Sequence, residues 1–367
     1  MTAKEWCVVF CGVCLVGVTA IMAINRLSDP YGYFTEQPYG QSGFEGISVR
    51  NAKLRYIKEN PHRYNGFIIG GSRTGTIDPD LTSRFTGLSF YNLCVPHGYQ
   101  EDYEMIIDFL IKHTQVQHII LQLNGQEIQS VKSNYKNIYT LDSKLSSKIG
   151  ELKNILLADC SPILLNILLR RQSFIPQVHE NGMIEYIEQY RPAERVNLGF
   201  VEKNLVPLFQ RQYKRIFTDK SETDFPASEW VLESLSRIKR KCIVHHIKLV
   251  VLIAPSSISV LSKIDSPLYW DYLKNMSAVT DFYNFNGYAK YNFNPYNFVD
   301  EAHYCKEMSD KMLKIIFNQE LPTDDDWGIL LSPENSEGYL ERRKESYLSL
   351  KRKYAETNLV PLETIDP

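Results

Sequence analysis

Apolar residues dominate four short runs in the body of the chain: Phe67 to Gly70, Ser89 to Val95 (SFYNLCV), His118 to Leu123 (HIILQL) and Ile247 to Ala254 (IKLVVLIA). A strand with one wet face alternates apolar and polar positions, so apolarity that continues rather than alternates predicts strands covered on both faces, as in a parallel sheet. Asp102 to Lys112 and Ala227 to Ile243 instead repeat their apolar positions every three to four residues, which predicts the crossover helices that parallel strands need. A further helix is expected at Leu268 to Met276. The pattern predicts a three-layer, doubly wound α/β fold.

Three stretches depart from that pattern. From Trp6 to Ile24 the residues are uncharged and mostly apolar, and about 19 residues at ~1.5 Å each make a helix roughly 28 Å long, enough to span a bilayer. Ala20 and Ala23 lack the small-x-small spacing of a cleavage site, and Asn25-Arg26 follows directly, which predicts an uncleaved anchor over residues 1–27. Lys4 and Arg26 nearly cancel in the positive-inside count, so the brevity of the leader decides the orientation: leader in the cytosol, remainder across the membrane, periplasmic or extracellular.

Between the third and fourth strands, about residues 128–226 read as a helical insertion, with a strongly apolar run at Ile155 to Leu169 interrupted by Pro162. That run suits either a buried helix or a membrane contact. Beyond Leu321 the chain opens with Asp324-Asp325-Asp326 and continues into a charged helical pattern near Gly338 to Tyr354, which reads as a solvated tail over 321–367. The main domain would then be residues 28–320. An aromatic and asparagine-rich stretch, DFYNFNGYAKYNFNPYNFVDEAHY, suits either stacking on sugars or a turn-rich loop whose tyrosines pack on the core.

Composition narrows the function. The 367 residues carry 41 basic and 43 acidic side chains, a formal charge of −2, which gives no basic excess for gripping nucleic acid. Cys7, Cys11 and Cys14 lie in the anchor, and Cys94, Cys160, Cys242 and Cys305 are widely scattered with no zinc-ligand spacing, so they read as small core residues. His245-His246 reads as a surface pair. Gly70 to Gly75 spans a G-x-x-x-x-G, but Thr76-Ile77 stands where a phosphate loop needs Lys-Ser/Thr.

The stretch GFIIGGSRTGTIDP at residues 66–79 leaves the first strand through Gly70-Gly71 and holds Ser72 at the strand's end. A serine hydroxyl becomes a nucleophile only beside a base, and the base must be held in one tautomer by a carboxylate. Asp300-Glu301-Ala302-His303 offers that pair if the segment forms a helical turn, where positions i and i+3 share a face. Each residue also has a structural reading: Ser72 as a helix cap, Asn124 in Asn-Gly as a turn residue, His303 as a bonded core histidine, and Asp300 as N-cap of a helix from Glu301 to Phe317.

Taken together, these blocks resemble the SGNH (GDSL-like) hydrolase superfamily. Ser72 in GGSRT matches the family's serine, Gly98 in VPHGY its glycine, Asn124 in LQLNG its asparagine, and Asp300 with His303 its late Asp-x-x-His, all in the family's order. Gly71 replaces the usual Asp of Gly-Asp-Ser, and Gln122-Leu123-Asn124-Gly125 replaces Gly-x-Asn-Asp. With the anchor and the DPYGYF that follows it, the chain looks most like the membrane-anchored branch that assists membrane-bound O-acyltransferases in alginate acetylation and teichoic-acid D-alanylation. The likeness covers roughly residues 60–130 and 245–318.

The resemblance implies an acyl esterase or O-acyltransferase acting on a cell-envelope polysaccharide, needing no cofactor or metal. It assigns Ser72 as nucleophile, His303 as base and Asp300 as its orienting acid. Ser72 N–H, Gly98 N–H and the Asn124 amide would receive the oxyanion. Arg73, beside the serine, is placed either to attract an anionic substrate or to pair with a nearby acid. Expected partners are an acylated glycan, the membrane and a membrane-bound O-acyltransferase. The alternative is a non-catalytic assembly factor that binds such a polysaccharide or acyltransferase.

Overall fold

The computed structural model describes residues 1–28, 46–96, 98–123, 156, 177–185, 201–218, 228–264, 266–323 and 326–357. It is a mixed α/β protein with one six-stranded mixed sheet and one apolar N-terminal helix. The strands are β1 (Gly66–Gly70), β2 (Phe90–Cys94), β3 (His118–Leu123), a separate hairpin β4 (Gln177–Val178) and β5 (Ile184–Glu185), then β6 (Lys248–Ile253), β7 (Phe282–Asn284) and β8 (Ile329–Leu331). The sheet runs β2-β1-β3-β6-β7-β8; the first five pair in parallel and β8 is antiparallel to β7.

Side chains of β1, β2, β3 and β6 leave the sheet alternately, and helices cover both faces. Phe67, Ile69, Tyr91, Leu93, Ile119 and Leu121 join a cluster with the helices Gly46–Glu59, Gln100–His113, Ser228–Val244 and Pro267–Val279. Ile68, Phe90, Cys94, Ile120 and Leu252 join another with the helices Val206–Thr218 and Lys306–Ile316. Two cores separated by one sheet explain why the runs are mostly apolar rather than alternating. The outer edge of β2 is partly covered: Asn92 N–H donates to Asn181 O at 2.9 Å, and the buried Lys53 side chain donates to Asn92 O at 3.0 Å.

Helix Ala3–Ser28 is the one segment long and apolar enough to cross a membrane among the described residues, and its spanning window is wholly exposed. At its end Asn25 is buried and its side-chain amide donates to Leu156 O at 2.8 Å. Most of the expected insertion, including the rest of Ile155 to Leu169, lies outside the described residues, as do Cys160, Asn124 and the DPYGYF stretch. Its described parts are the β4–β5 hairpin and the helix Val206–Thr218, preceded by one π turn at Val201–Leu205.

One expectation needs correction, and one pair of alternatives is decided. The tail is not a solvated appendage: β8 completes the sheet, Trp327 is buried edge-on to Phe285 with centroids 4.8 Å apart, and Asn284 Nδ2 donates to the Tyr339 hydroxyl at 2.6 Å. The helix Ser336–Thr357 is charged along its outer side but lays Tyr339 and Arg343 onto the core. The aromatic stretch, meanwhile, supplies β7, a short helix at Lys290–Phe293 and a turn at Pro295–Asn297. Phe282, Phe285, Phe293, Phe298 and Tyr304 all point into the protein, so it packs on the core.

Candidate active site

Ser72 opens a one-turn 3-10 helix, Ser72–Thr76, at the carboxyl end of β1, and the packing around that end decides how the chain can leave the strand. Gly70 is required there by closeness: a Cβ on it would stand 2.1 Å from Thr74 Oγ1 and 2.8 Å from the Gln122 carbonyl of β3. Gly71 has φ −76° and ψ −166°, a conformation open to any residue.

The turn is pinned from below. Asn92, a polar residue within β2, donates its amide to Thr74 O at 2.8 Å and Ile77 O at 2.9 Å, while Ser309 Oγ donates to Thr76 O at 2.9 Å. These bonds fix the backbone that carries Ser72. A buried side-chain amide in an apolar strand has to find such partners or lose its hydration uncompensated.

Asp300 and His303 do not lie on a helix. Asp300 Oδ1 accepts from the backbone N–H of both Ala302 and His303 at 2.7 Å, an Asx-type turn, and the loop is closed by Val299 N–H donating to His303 O at 2.8 Å and by a bridge between Phe298 and Tyr304. The helix begins only at Lys306, with Cys305 in the cap position, so Asp300 caps no helix. The spacing of three brings the two side chains together through the turn: His303 Nδ1 lies 2.8 Å from Asp300 Oδ2 and 3.0 Å from Oδ1.

The far side of the ring meets the serine. His303 Nε2 lies 2.9 Å from Ser72 Oγ. The imidazole is 21% exposed and the Asp300 side chain 36%, so solvent reaches the pair. Burial pushes the Asp300 carboxyl up, but the adjacent His303 ring and the N–H groups of Ala302 and His303 outweigh it and hold the group below the usual carboxylate range. An ionised carboxylate only accepts, so in the neutral imidazole Nδ1 carries the ring proton and Nε2 presents a lone pair to the Ser72 hydroxyl.

The remaining expected residues fall elsewhere. Gly98 N–H donates to Val95 O at 2.8 Å, which corrects the expectation that it is available to an oxyanion: a turn consumes it. A Cβ at Gly98 would also meet Tyr103 at 2.9 Å, so close packing explains the glycine. Asn124 lies outside the described residues. Ser72 N–H precedes the first ladder bond of its turn, which runs from Thr74 N–H to Gly71 O. The Arg73 guanidinium is buried and donates to Ser256 Oγ at 3.3 Å, and so faces the interior rather than the surface.

Supporting residues that sequence reasoning passed over are Asn92, Gln122, Tyr304 and the serines after β6. Tyr304 donates its hydroxyl to Gln122 Oε1 at 2.6 Å, tying the residue after His303 to β3. Ser257 Oγ donates to Glu301 O, and Ser259 Oγ to Glu301 Oε2 at 3.2 Å. A signal was present, since Asn92 and Gln122 are the polar interruptions of FYNLC and HIILQL. No cluster of three or more His, Cys, Asp or Glu side chains that could hold a metal occurs among the described residues. Comparison with protein-family models, with curated proteins and with solved structures finds no match for this chain.

Proposed function

We propose that the chain is a membrane-anchored, extracytoplasmic esterase or O-acyltransferase of SGNH type that acts on an acylated cell-envelope glycan, with a membrane-bound O-acyltransferase as partner. The observation that carries this reading is the continuous line from Asp300 Oδ2 to His303 Nδ1 at 2.8 Å and from His303 Nε2 to Ser72 Oγ at 2.9 Å. The position of Ser72 supports it as well: the strand order reverses between β1 and β3, and open α/β sheets bind ligands at the carboxyl edge beside such a switch point. The apolar helix Ala3–Ser28, long enough to cross a bilayer, supports membrane attachment.

In this mechanism His303 takes the hydroxyl proton as Ser72 Oγ bonds to an ester carbonyl carbon. Asp300 steadies the imidazolium, which then protonates the departing alcohol and leaves an acyl-serine. Water as second acceptor regenerates the serine and releases acid; a sugar hydroxyl carries the acyl group onward. Ser72 N–H, at the first position of its turn, would serve as a donor to the oxyanion, and such a donor is worth about 3 kcal/mol.

The engagement of Gly98 N–H with Val95 O favours a second reading, a non-catalytic assembly factor that binds the polysaccharide or the acyltransferase. One experiment separates the two. The full chain in detergent is given p-nitrophenyl acetate and a fluorophosphonate probe, alongside Ser72→Ala. Ester turnover and labelling that both vanish in the variant support the enzyme; an inert wild type, with Ser72→Ala retaining full biological effect, overturns it.

A further inference from the structure

The short run that follows β6 reaches both halves of the proposed site. Ser256 Oγ receives Arg73, the neighbour of Ser72, at 3.3 Å, and Ser256 O receives Asn292 Nδ2 at 2.9 Å. One residue on, Ser257 donates its hydroxyl to the carbonyl of Glu301, within the loop that carries Asp300 and His303. Ser256, Ser257 and Ser259 are wholly buried, so the hydroxyls have no water to exchange with.

The bond from Ser257 has a particular target. Glu301 O belongs to the peptide joining Glu301 to Ala302, and the N–H of that same peptide donates to Asp300 Oδ1 at 2.7 Å. A planar peptide is therefore held at its oxygen by Ser257 and at its nitrogen by Asp300. Rotating it would break both bonds together, and the carboxylate would lose a partner that fixes its plane against His303 Nδ1.

We propose that Ser257 is a positioning residue, resting on the reading of Ser72 as nucleophile: by holding the Glu301–Ala302 peptide it orients the Asp300 carboxylate and, through it, the His303 ring toward Ser72. The plainer role for this serine is capping the helix Ile258–Ile264, where its Oγ accepts from Val260 N–H at 3.5 Å. A cap affects stability. It does not act on an imidazole in another loop.

The test uses the full chain in detergent with histidine ring nitrogens labelled, His303→Gln assigning the resonances. Ser257→Ala is expected to lower kcat for p-nitrophenyl acetate ~10- to 100-fold with KM within about twofold, the scale of a displaced catalytic group. It is also expected to weaken or broaden the downfield Nδ1 proton of His303. Unchanged kcat together with an unchanged Nδ1 proton overturns the proposal, as does a loss of melting temperature with the ring signal intact. If the wild type is inert toward esters, the reading of Ser72 fails while the Nδ1 proton still decides the role of Ser257. Should the alanine variant not fold, Ser257→Cys, close in size and a weak donor, is read by the same two measurements.

Discussion

Asp300→Asn tests the proton arrangement with little change in volume, and the geometry dictates how the new amide must sit. Asp300 Oδ1 accepts two backbone N–H groups at 2.7 Å, from Ala302 and His303. The amide oxygen must take that place, because an NH2 there would set donor against donor and forfeit two bonds at about 1–3 kcal/mol each. The NH2 is left at the position of Oδ2, 2.8 Å from His303 Nδ1. Nδ1 then has to accept, the ring proton moves to Nε2, and Nε2 points an N–H at Ser72 Oγ across 2.9 Å. A base in that tautomer cannot take the hydroxyl proton. The expected loss is about 10³- to 10⁴-fold in kcat, roughly 4–5.5 kcal/mol, with KM and melting temperature little changed. Steady-state hydrolysis of p-nitrophenyl acetate measures the first, and correlation of histidine ring protons with their nitrogens shows which nitrogen is protonated. Activity within tenfold of wild type, or a proton that stays on Nδ1, refutes the reasoning.

Gly70→Ala forces a Cβ against Thr74 Oγ1 and the Gln122 backbone, so a loss of about 1–3 kcal/mol in urea unfolding is expected, with Thr74→Ala recovering only part because the carbonyl remains; an unchanged midpoint would contradict the close approach. His118, lodged edge-on to Phe90 and Phe317, is pushed by burial, with help from Lys248, down to about 4 from the ordinary 6.5. The unfolded chain therefore binds a proton between pH 6.5 and 4 that the folded chain refuses, so stability present above 6.5 falls by on the order of 3 kcal/mol as pH drops toward 4. His118→Gln should flatten that part of the pH dependence, and equal acid losses in variant and wild type would sink the assignment.

β1, β2, β3 and β6 are legible because helices cover both faces of the sheet there, which leaves runs such as FIIG and HIILQL mostly apolar rather than alternating. β7 and β8 are not legible, being three residues each and lodged among asparagines or beyond an acidic run; tertiary pairing rather than local pattern makes them strands. At the site, the spacing of Asp300 and His303 puts them side chain to side chain in a helical turn or an Asx turn alike. Spacing alone cannot choose, and the bridge of Tyr304 to Phe298 decides for the turn. The fate of the Gly98 N–H depends on a backbone carbonyl three residues earlier, and backbone groups leave no trace in residue identity. Arg73 turns inward to a hydrogen bond with Ser256, 183 positions away, a contact that local pattern does not foreshadow.

Ser72 and the imidazole that faces it are 231 residues apart in the chain. At a synthesis rate of about 5–20 residues per second, that interval takes roughly 10–50 s. Throughout it the serine has no base beside it, and the last strand of the sheet, Ile329–Leu331, emerges later still. A nascent chain thus carries an unarmed alcohol, and any reactivity of Ser72 that depends on His303 switches on only after the segment bearing His303 has emerged and folded against it.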